Sequence, residues 1–373
     1  MNTVIVYKSL SGFTEKYAKW IAEDLHTTAI ELDSFTPSVP NKYTSIELFA
    51  GAGGLALGLE QAGFHHVLLN EYDKTACKTL RINRPYWNVI EKDIHSVDFT
   101  EYKWKIDLLS GGIPCQAFSY SGKRNGFNDT RGTLFFEYAR AVKEIQPKIC
   151  IIENVRGLLN HDSGKTISIM IHVLNELNYH VLEPKILNAV NYNVPQKRER
   201  LILVAIRNDI NAEYTYPKPN NKIYTLKDAL KKGELYPCDV PNSDGLKYSY
   251  KKEKILKMVP PGGCWRDLPI EYQKEYMMKS YYLGGGKTGI ARRISWDEPC
   301  LTLTCSPAQK QTERCHPEET RPFTIREYAR IQTFPDNWHF CGSLLNQYKQ
   351  IGNAVPVNFA KELGISVINF LNK

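Results

Sequence analysis

Residues 45–55 read Ser-Ile-Glu-Leu-Phe-Ala-Gly-Ala-Gly-Gly-Leu, an apolar strand that leads into a glycine turn and then into the start of a helix. Glycine allows the backbone to approach a ligand closely, and a helix N-terminus offers unpaired N–H groups. The pattern predicts a βα unit with a nucleoside cofactor at the turn. Because an isolated glycine turn is a weak signal, the prediction depends on the segments around it.

Further apolar strand patterns follow this unit, with helical patterns between them. Strands separated by helices predict an α/β fold with a doubly wound, mostly parallel, Rossmann-like sheet. Beyond about residue 212 the sequence becomes rich in lysine, proline and glycine, which predicts a smaller irregular domain, and helical patterns return at 324–331 and 357–371. The predicted strands are 45–49, 67–70, 106–110, 149–153 and 201–206, and the predicted helices include 55–62, 74–83, 134–145 and 166–178.

A second glycine loop lies near the start, where residues 8–14 read Lys-Ser-Leu-Ser-Gly-Phe-Thr between an apolar run and a helical pattern. This opening resembles the phosphate loop of flavodoxins. A new strand begins at Thr44, which is too early for a flavodoxin domain of roughly 100 to 150 residues. We therefore expect residues 1–43 to form a truncated flavodoxin-like segment and linker, and a flavin carrier is an alternative function that depends on this segment alone.

Composition limits the classes of function. The 373 residues are 42% hydrophobic and 24% charged, which excludes disordered and collagen-like chains. No apolar run is long enough to span a membrane, so we expect no membrane segment and no secretory signal. The nine cysteines show no framework spacing and favour a reducing compartment such as the cytoplasm. The net charge of +8, concentrated with tyrosines between residues 216 and 290, favours a polyanionic partner but also fits a solvated surface.

Two polar segments follow apolar strands, and a third precedes one. Cys115 lies in Gly-Gly-Ile-Pro-Cys-Gln after the strand at 106–110, and Glu153 ends the strand in Ile-Ile-Glu-Asn-Val. The carboxyl ends of strands in an open α/β sheet are where ligands bind. Cys115 is then a candidate nucleophile, and Glu153 a candidate acid. Residues 196–200, Gln-Lys-Arg-Glu-Arg, supply arginines that can orient a carbonyl group, although a solvated charged face is the ordinary alternative.

Two further strand ends carry acids. Glu71 follows the second strand at the distance from the glycine turn at which Rossmann-like folds bind ribose hydroxyls, and Tyr72 beside it is suited to stack on a purine. Asp93 and Ile94 follow a third short apolar run, where the carboxylate can accept from an exocyclic amine. A structural turn with solvated acids is the alternative for these features taken alone.

The order of the motifs resembles that of the DNA cytosine-5 methyltransferases from about residue 44 to the end. Phe-Ala-Gly-Ala-Gly-Gly is followed by Gly-Ile-Pro-Cys-Gln, Glu-Asn-Val, Gln-Lys-Arg-Glu-Arg, Arg-Pro-Phe-Thr-Ile-Arg-Glu-Tyr-Ala-Arg and Gln-Ile-Gly-Asn-Ala-Val-Pro. The resemblance implies the fold of the S-adenosylmethionine-dependent methyltransferases. It also implies S-adenosylmethionine as the cofactor and a cytosine in double-stranded DNA as the substrate.

The resemblance implies roles for residues of this chain. Cys115 is expected to add to C6 of the cytosine, Glu153 to protonate or bind N3, and Arg200 to donate to O2, with Arg198 beside it in the catalytic set. Covalent addition suits a carbon that is a poor nucleophile, and the base must first be flipped out of the duplex. The expected cofactor residues are Phe49, Gly51, Gly53, Gly54, Glu71, Tyr72, Asp93, Ile94, Pro114, Asn353 and Ala354.

The resemblance also divides the chain, with a cofactor-binding catalytic domain at 44–214, a target-recognition domain at 215–342 and a return to the catalytic domain at 343–373. The candidate DNA-binding residues are Gln116, Ser119, Arg266, Lys287, Arg292 and Arg293, where any single arginine could contact only phosphate. The spacing of Cys300, Cys305 and Cys315 fits no usual zinc pattern, so we expect no metal.

The sequence therefore predicts a site-specific DNA cytosine-5 methyltransferase, a monomer that acts alone or is linked in function to a cognate restriction endonuclease. Methylation of a tRNA cytosine by the same chemistry is one alternative, since the motifs do not fix the nucleic acid. A DNA-binding regulator with a silent active site is another, although Cys115, Glu153 and Arg200 count against it.

Overall fold

The computed structural model describes residues 4–7, 19, 28–31, 43–114, 134–282 and 289–373. The chain divides into two units, Met1–Lys42 and Tyr43–Lys373. In the first unit, strands β1 (Val4–Tyr7) and β2 (Thr28–Glu31) pair in parallel.

The second unit is built on a mixed sheet of eight strands in the order β5-β4-β3-β6-β7-β11-β8, with β9 also paired to β11. Strands β3 to β7 are parallel, whereas β11 is antiparallel to β7, β8 and β9. The strands are β3 (Tyr43–Leu48), β4 (Phe64–Glu71), β5 (Val89–Glu91), β6 (Leu108–Gly112), β7 (Ile149–Val155), β8 (Tyr179–Val181), β9 (Lys185–Asn188) and β11 (Glu199–Arg207). A separate two-stranded pair joins β10 (Gln196–Lys197) to β12 (Cys300–Leu301).

Helices connect and cover these strands. They are α1 (Gly54–Ala62), α2 (Lys74–Asn83), α3 (Leu134–Ile145), α4 (Lys165–Glu176), α5 (Leu226–Leu230), α6 (Tyr250–Leu256), α7 (Ile270–Met277), α8 (Ile325–Ile331), α9 (Leu344–Asn353) and α10 (Val357–Leu371). The predicted α/β class and helix-covered, mostly parallel sheet are confirmed. The antiparallel direction of β11 and helix α9 were not predicted.

Two apolar cores lie on opposite faces of the sheet. Alternate residues of a strand point to opposite faces, and in β7 Cys150 and Ile152 join one core while Ile149 and Ile151 join the other. Helices α3 and α4 cover the first core, and α1 and α10 contribute to the second. A Cβ atom on Gly364 of α10 would lie 2.6 Å from Ala62 Cβ of α1, so these helices are in close contact. Helix α10 thereby returns the end of the chain to the sheet.

The strand order reverses at β3, which lies between β4 and β6. At such a reversal the loops after neighbouring strands diverge and leave a crevice at the carboxyl ends, where open α/β sheets bind ligands. The glycine turn at 49–54, the end of β4 and the end of β6 meet there. A smaller apolar cluster lies elsewhere, formed by buried residues between Tyr248 and Cys315.

Candidate active site

The glycine turn after β3 has a left-handed backbone conformation and close packing that suit the approach of a ligand. Phe49, Gly51 and Gly53 have positive φ angles of 59°, 55° and 85°. A Cβ on Gly53 would lie 2.6 Å from Leu80 Cδ2, and one on Gly54 would lie 2.2 Å from the carbonyl oxygen of Val355. A larger residue at either position would therefore force the turn away from its neighbours.

Glu71, at the end of β4, is held by the backbone of this turn. Its Oε2 accepts from Gly51 N at 2.7 Å, and its Oε1 accepts from Tyr72 N and Asp73 N at 2.8 and 2.7 Å. Three backbone donors thus fix the carboxylate, while its remaining lone pairs can accept from hydroxyl groups. Tyr72 is 74% exposed, which leaves a ring face free for stacking.

Asp93 lies after β5 and is hydrogen-bonded to His95, with 2.6 Å between Asp93 Oδ1 and His95 Nδ1. These hydrogen bonds to His95 lower the pKa of Asp93. Because both contacts with His95 use Oδ1, Oδ2 has no protein partner among the described residues and can accept from an amine. Ile94, the next residue, is buried.

One cavity of about 900 Å³ brings these strand ends together. Ten of the eleven predicted cofactor residues line it, and Gly53, the exception, packs behind the turn against Leu80 and Trp338. Glu153, Arg198 and Arg200 also line it. Ten residues expected to bind the cofactor and three of the four expected catalytic residues therefore line one space.

Glu153 and Arg200 form an ion pair on neighbouring antiparallel strands. Arg200 Nε lies 2.7 Å from Glu153 Oε1, and both side chains are about nine-tenths buried, with 11% of each exposed. Such a pair presents a carboxyl group and guanidinium donors side by side. This arrangement matches the edge of a pyrimidine that carries a ring nitrogen next to a carbonyl oxygen.

The segment that leads to Cys115 is tied to this pair. Asn154, next to Glu153, donates from Nδ2 to the carbonyl oxygen of Ile113 at 2.9 Å, and its Oδ1 accepts from Val155 N at 2.8 Å. Cys115 itself lies outside the described residues, as do Gln116, Ser119 and Lys287. Asn154 was not predicted, and its place directly after the strand-end acid is the signal that could have found it.

Arg198 is buried, and its guanidinium joins three segments. It donates to the carbonyl oxygens of Leu303, Gly352 and Ala354 at 3.0, 2.8 and 3.1 Å, while its Nε has no partner among the described residues. Burial, with a smaller contribution from Arg200, lowers the pKa of Arg198 to about 9. Because two of the acceptors flank Asn353, Arg198 positions the turn that carries this residue.

Two glutamines complete this buried arrangement. Gln196 Nε2 donates to Gln332 Oε1 at 2.8 Å, and Gln332 Nε2 donates to the carbonyl oxygens of Ile351 and Ala354 at 2.7 and 3.1 Å. Sequence reasoning missed Gln332, since nothing local marks it. Asn353, exposed on the cavity wall, accepts at Oδ1 from Cys305 Sγ, which orients the amide.

The arginines predicted to contact DNA differ in exposure. Arg266 is exposed, with its guanidinium carbon 5.4 Å from the centroid of a Trp265 ring. Arg292 is partly buried, and its Nη2 donates to both carboxylate oxygens of Glu298. Arg293 is 4% exposed and donates to Val259, Leu256, His316, Pro317 and Thr320. This placement gives Arg293 a structural role in the described fold and argues against the predicted DNA contact.

A family model for the C-5 cytosine-specific DNA methylases matches residues 43–369. The chain belongs to this family. The methylase is 66% identical over 335 residues to the type II methyltransferase M.Eco47II of Escherichia coli, covering 89% of the chain and 80% of the relative. It is 57% identical to M.Sau96I of Staphylococcus aureus over 89% of the chain and 77% of the relative.

Solved structures show the same fold. A DNA modification methyltransferase encoded within an E. coli prophage superposes with a TM-score of 0.67 at 22% identity, over 89% of the methylase and all of that chain. The Dnmt2 methyltransferase of S. pombe superposes with a TM-score of 0.63 at 17% identity, over 89% and 99% of the two chains. The methylase is a DNA (cytosine-5-)-methyltransferase, as predicted.

The methyl donor of this family is S-adenosylmethionine, and the cavity fits it. Glu47, on β3, lines the cavity and is 1% exposed, and its Oε2 has no hydrogen-bond partner among the described residues. Burial raises the pKa of Glu47 well above its usual value. A ligand ammonium group would supply the missing partner, Glu71 would hold hydroxyl groups, and Asp93 would accept from an amine. Glu47 was not predicted, although an acid inside an apolar strand is a visible signal.

Among the described residues, no helix is long and apolar enough to cross a membrane, and no three His, Cys, Asp or Glu side chains are grouped as metal ligands. Cys300 and Cys315 are buried as free thiols and Cys305 is exposed. Burial raises the pKa of Cys300 to about 12.

Proposed function

We propose that the methylase is a site-specific type II enzyme that methylates C5 of a cytosine flipped out of double-stranded DNA, in a restriction–modification system. Its relatives are type II methyltransferases, which supports this role. The observation that carries the proposal is the Glu153–Arg200 ion pair, which shares the 900 Å³ cavity with the glycine turn and Glu71. A cytosine whose N3 and O2 meet this pair would lie in the same space as the cofactor.

The proposed reaction begins when the Cys115 thiolate adds to C6 of the cytosine. The new S–C6 bond moves the C5–C6 electron pair to C5 and the ring, where Glu153 protonates or binds N3 and Arg200 donates to O2. Bound S-adenosylmethionine would supply the methyl group to C5, with cleavage of its S–CH3 bond and S-adenosylhomocysteine as the leaving group. Loss of the C5 proton to a base and departure of the Cys115 sulfur from C6 restore the aromatic ring.

A hydrogen bond from the Asn154 side chain supports the placement of Glu153 beside the segment that leads to Cys115. Asn154 links Glu153 to Ile113, two residues before Cys115, so the acid and the nucleophile-bearing segment are held to one another by a hydrogen bond of 2.9 Å. The base has to leave the duplex, at a cost of a few kcal/mol, before its edge can meet two buried side chains.

We propose that residues 44–214 and 343–373 form the catalytic domain and that residues 215–342 read the DNA sequence. The separate apolar cluster between Tyr248 and Cys315 supports a second domain, and the exposed Arg266 supports DNA contact. We further propose that the enzyme works as a cytoplasmic monomer, linked in function to a cognate endonuclease, and that residues 1–43 form an appended segment. Exchanging residues 215–342 with those of a type II relative of different specificity should transfer the recognised site.

The first test is incubation of the purified protein with tritiated S-adenosylmethionine and unmethylated plasmid DNA, followed by bisulfite sequencing. Methylation at one short sequence supports the proposal, whereas label on tRNA alone would replace it with the RNA reaction. No label on either, with binding of DNA retained, would favour a silent regulator.

A second test addresses the covalent step. A duplex with 5-fluorocytosine at the target has no C5 proton to lose, so wild-type protein should remain bonded to it through Cys115. The variant Cys115→Ser should give neither methyl transfer nor this complex, while Cys341→Ser, at a half-buried thiol, is the matched control. Full methylation by Cys115→Ser would refute the mechanism.

A further inference from the structure

A second, shallower cavity of about 490 Å³ adjoins the active site. It shares two residues, Val155 and Arg200, with the first cavity. Its other lining residues are Arg156, Gly157, Asn188, Lys197, Glu199 and Thr302. We refer to Arg156, Asn188, Lys197, Glu199 and Thr302 as the outer shelf.

The side chains of residues 196–200 point alternately in opposite directions, and this alternation places two of them on the outer shelf. Gln196 and Arg198 are buried in the hydrogen-bonded arrangement beneath Asn353, and Arg200 turns to Glu153. Lys197 is exposed and Glu199 partly so, and both line the second cavity instead. Gln196, Arg198 and Arg200 form one set of alternate residues, which faces the interior and the first cavity. Lys197 and Glu199 form the other set and belong to the outer shelf.

The shelf carries an excess of positive charge. Arg156 Nη1 is paired with Glu199 Oε2 at 2.7 Å, with 62% and 42% of the side chains exposed. Lys197 has no ion-pair partner among the described residues, and Thr302 Oγ1 donates to its carbonyl oxygen at 2.7 Å, which fixes the backbone. The three charged groups sum to one net positive charge.

The shelf also presents an amide donor. Asn188 Oδ1 accepts from Arg198 N at 3.0 Å, which leaves its Nδ2 without a partner among the described residues. A cation with an amide donor, in an open cavity next to a base pocket, matches a phosphodiester group. A solvated lysine face is the ordinary alternative for Lys197, and the two differ in how binding responds to salt.

We propose that the outer shelf binds a backbone phosphate of the target DNA strand next to the flipped cytosine, with Lys197 as its principal cation and Glu199 as a group that restrains Arg156. The inference rests on the proposed function of the active site. Lys197 lies three residues, about 10 Å of extended strand, from Arg200, so a strand whose base reaches Arg200 can pass over the shelf. In the wild type Glu199 holds Arg156 in their ion pair, so Lys197 supplies the phosphate contact.

Each phosphate contact contributes about 0.9 to the slope of log K against log salt concentration for duplex DNA. The measurement is fluorescence anisotropy of a duplex containing the mapped target, with S-adenosylhomocysteine present, over a series of potassium chloride concentrations. We expect Lys197→Ala to reduce the magnitude of the slope by about 0.9 and to weaken binding about fivefold at moderate salt, with the methylated sequence unchanged. Glu199→Gln should increase the magnitude of the slope by about 0.9, because Arg156 then becomes a free cation.

The matched control is Lys103→Ala, at an exposed lysine that precedes β6 at the amino end of the parallel strands. It should leave affinity and slope as in wild type. If Lys197→Ala behaves like Lys103→Ala, or loses affinity without a change in slope, the shelf does not bind phosphate. Weaker binding by Glu199→Gln would overturn the role of Glu199. Wild-type methylation in the same preparation keeps the proposed function separate from this test.

Discussion

Replacing Arg198 by methionine should weaken cofactor binding while changing the free energy of unfolding little. In the wild type, burial lowers the pKa of Arg198 to about 9, and a shift of this size corresponds to about 5 kcal/mol against the charged form. Methionine removes that cost, as it has no charge and a similar length. It also removes three hydrogen bonds to buried carbonyl oxygens.

The loss of these hydrogen bonds is close in size to the removed cost of burying the charge, and it has the opposite sign. Ala354 O retains a donor, Gln332 Nε2, whereas Leu303 O and Gly352 O lose the charged donor. An unsatisfied buried acceptor costs about 1 to 3 kcal/mol, so the loss is about 2 to 6 kcal/mol. The net change in unfolding free energy should therefore lie between about 3 kcal/mol of stabilisation and about 1 kcal/mol of destabilisation. The turn that holds Asn353 loses its anchor, and loss of one ligand hydrogen bond corresponds to roughly tenfold weaker binding.

The assay pairs chemical denaturation with calorimetric titration of S-adenosylhomocysteine. The control is Arg326→Met, which removes donors to the carbonyl oxygens of Pro335 and Trp338 at a site that does not line the cavity, and should leave cofactor affinity unchanged. Unchanged affinity in stable Arg198→Met protein would refute the positioning role. A loss of more than about 4 kcal/mol of stability would refute the cancellation of the two effects.

Three further predictions concern the cofactor, pH and packing. Glu71→Gln should weaken S-adenosylhomocysteine binding tenfold or more, on the order of 1.5 to 3 kcal/mol, because an amide NH2 group then faces the backbone N–H donors. The control Glu91→Gln, outside the cavity, should leave this affinity unchanged. His66 is buried and bonded to Ser45 and Ala56, and burial lowers its pKa to about 4. The unfolded state therefore binds more protons than the folded state between pH 6.5 and 4, so the free energy of unfolding should fall by about 3 kcal/mol as pH decreases through this window. Chemical denaturation at a series of pH values measures this loss. The variant His66→Gln should not show it. Gly364→Ala should cost about 1 to 3 kcal/mol through its clash with Ala62, and Ala62→Gly in the same chain should restore most of that, so a stabilising Gly364→Ala would contradict the close contact.

The elements with strong local patterns were predicted well. Strands β3, β6 and β7 and helices α1 and α3 lie within a few residues of their predicted bounds. Hydrophobic periodicity is a property of neighbouring residues, so the sequence displays it directly. Helix α9 was missed, and its mean hydropathy is low because most of its residues are polar.

Long-range contacts could not be predicted in the same way. The antiparallel direction of β11 depends on its pairing with β7, a segment more than 40 residues earlier. Arg266 is exposed, whereas Arg293 is buried and donates hydrogen bonds to internal carbonyl oxygens. This difference depends on segments up to several tens of residues away. Nothing in the immediate sequence of either arginine distinguishes them.

The sequence by itself determined the α/β class, the family and the strand ends at which the chemistry lies, because an apolar strand, a glycine turn and a following acid are local features that appear in a fixed order. Only the tertiary structure decided which of the charged residues at 196–200 pairs with Glu153, which anchors the turn at Asn353 and which lines the outer shelf. The free energy of a charged side chain depends on the burial and partners that distant segments impose on it, and these exist only after the chain has folded.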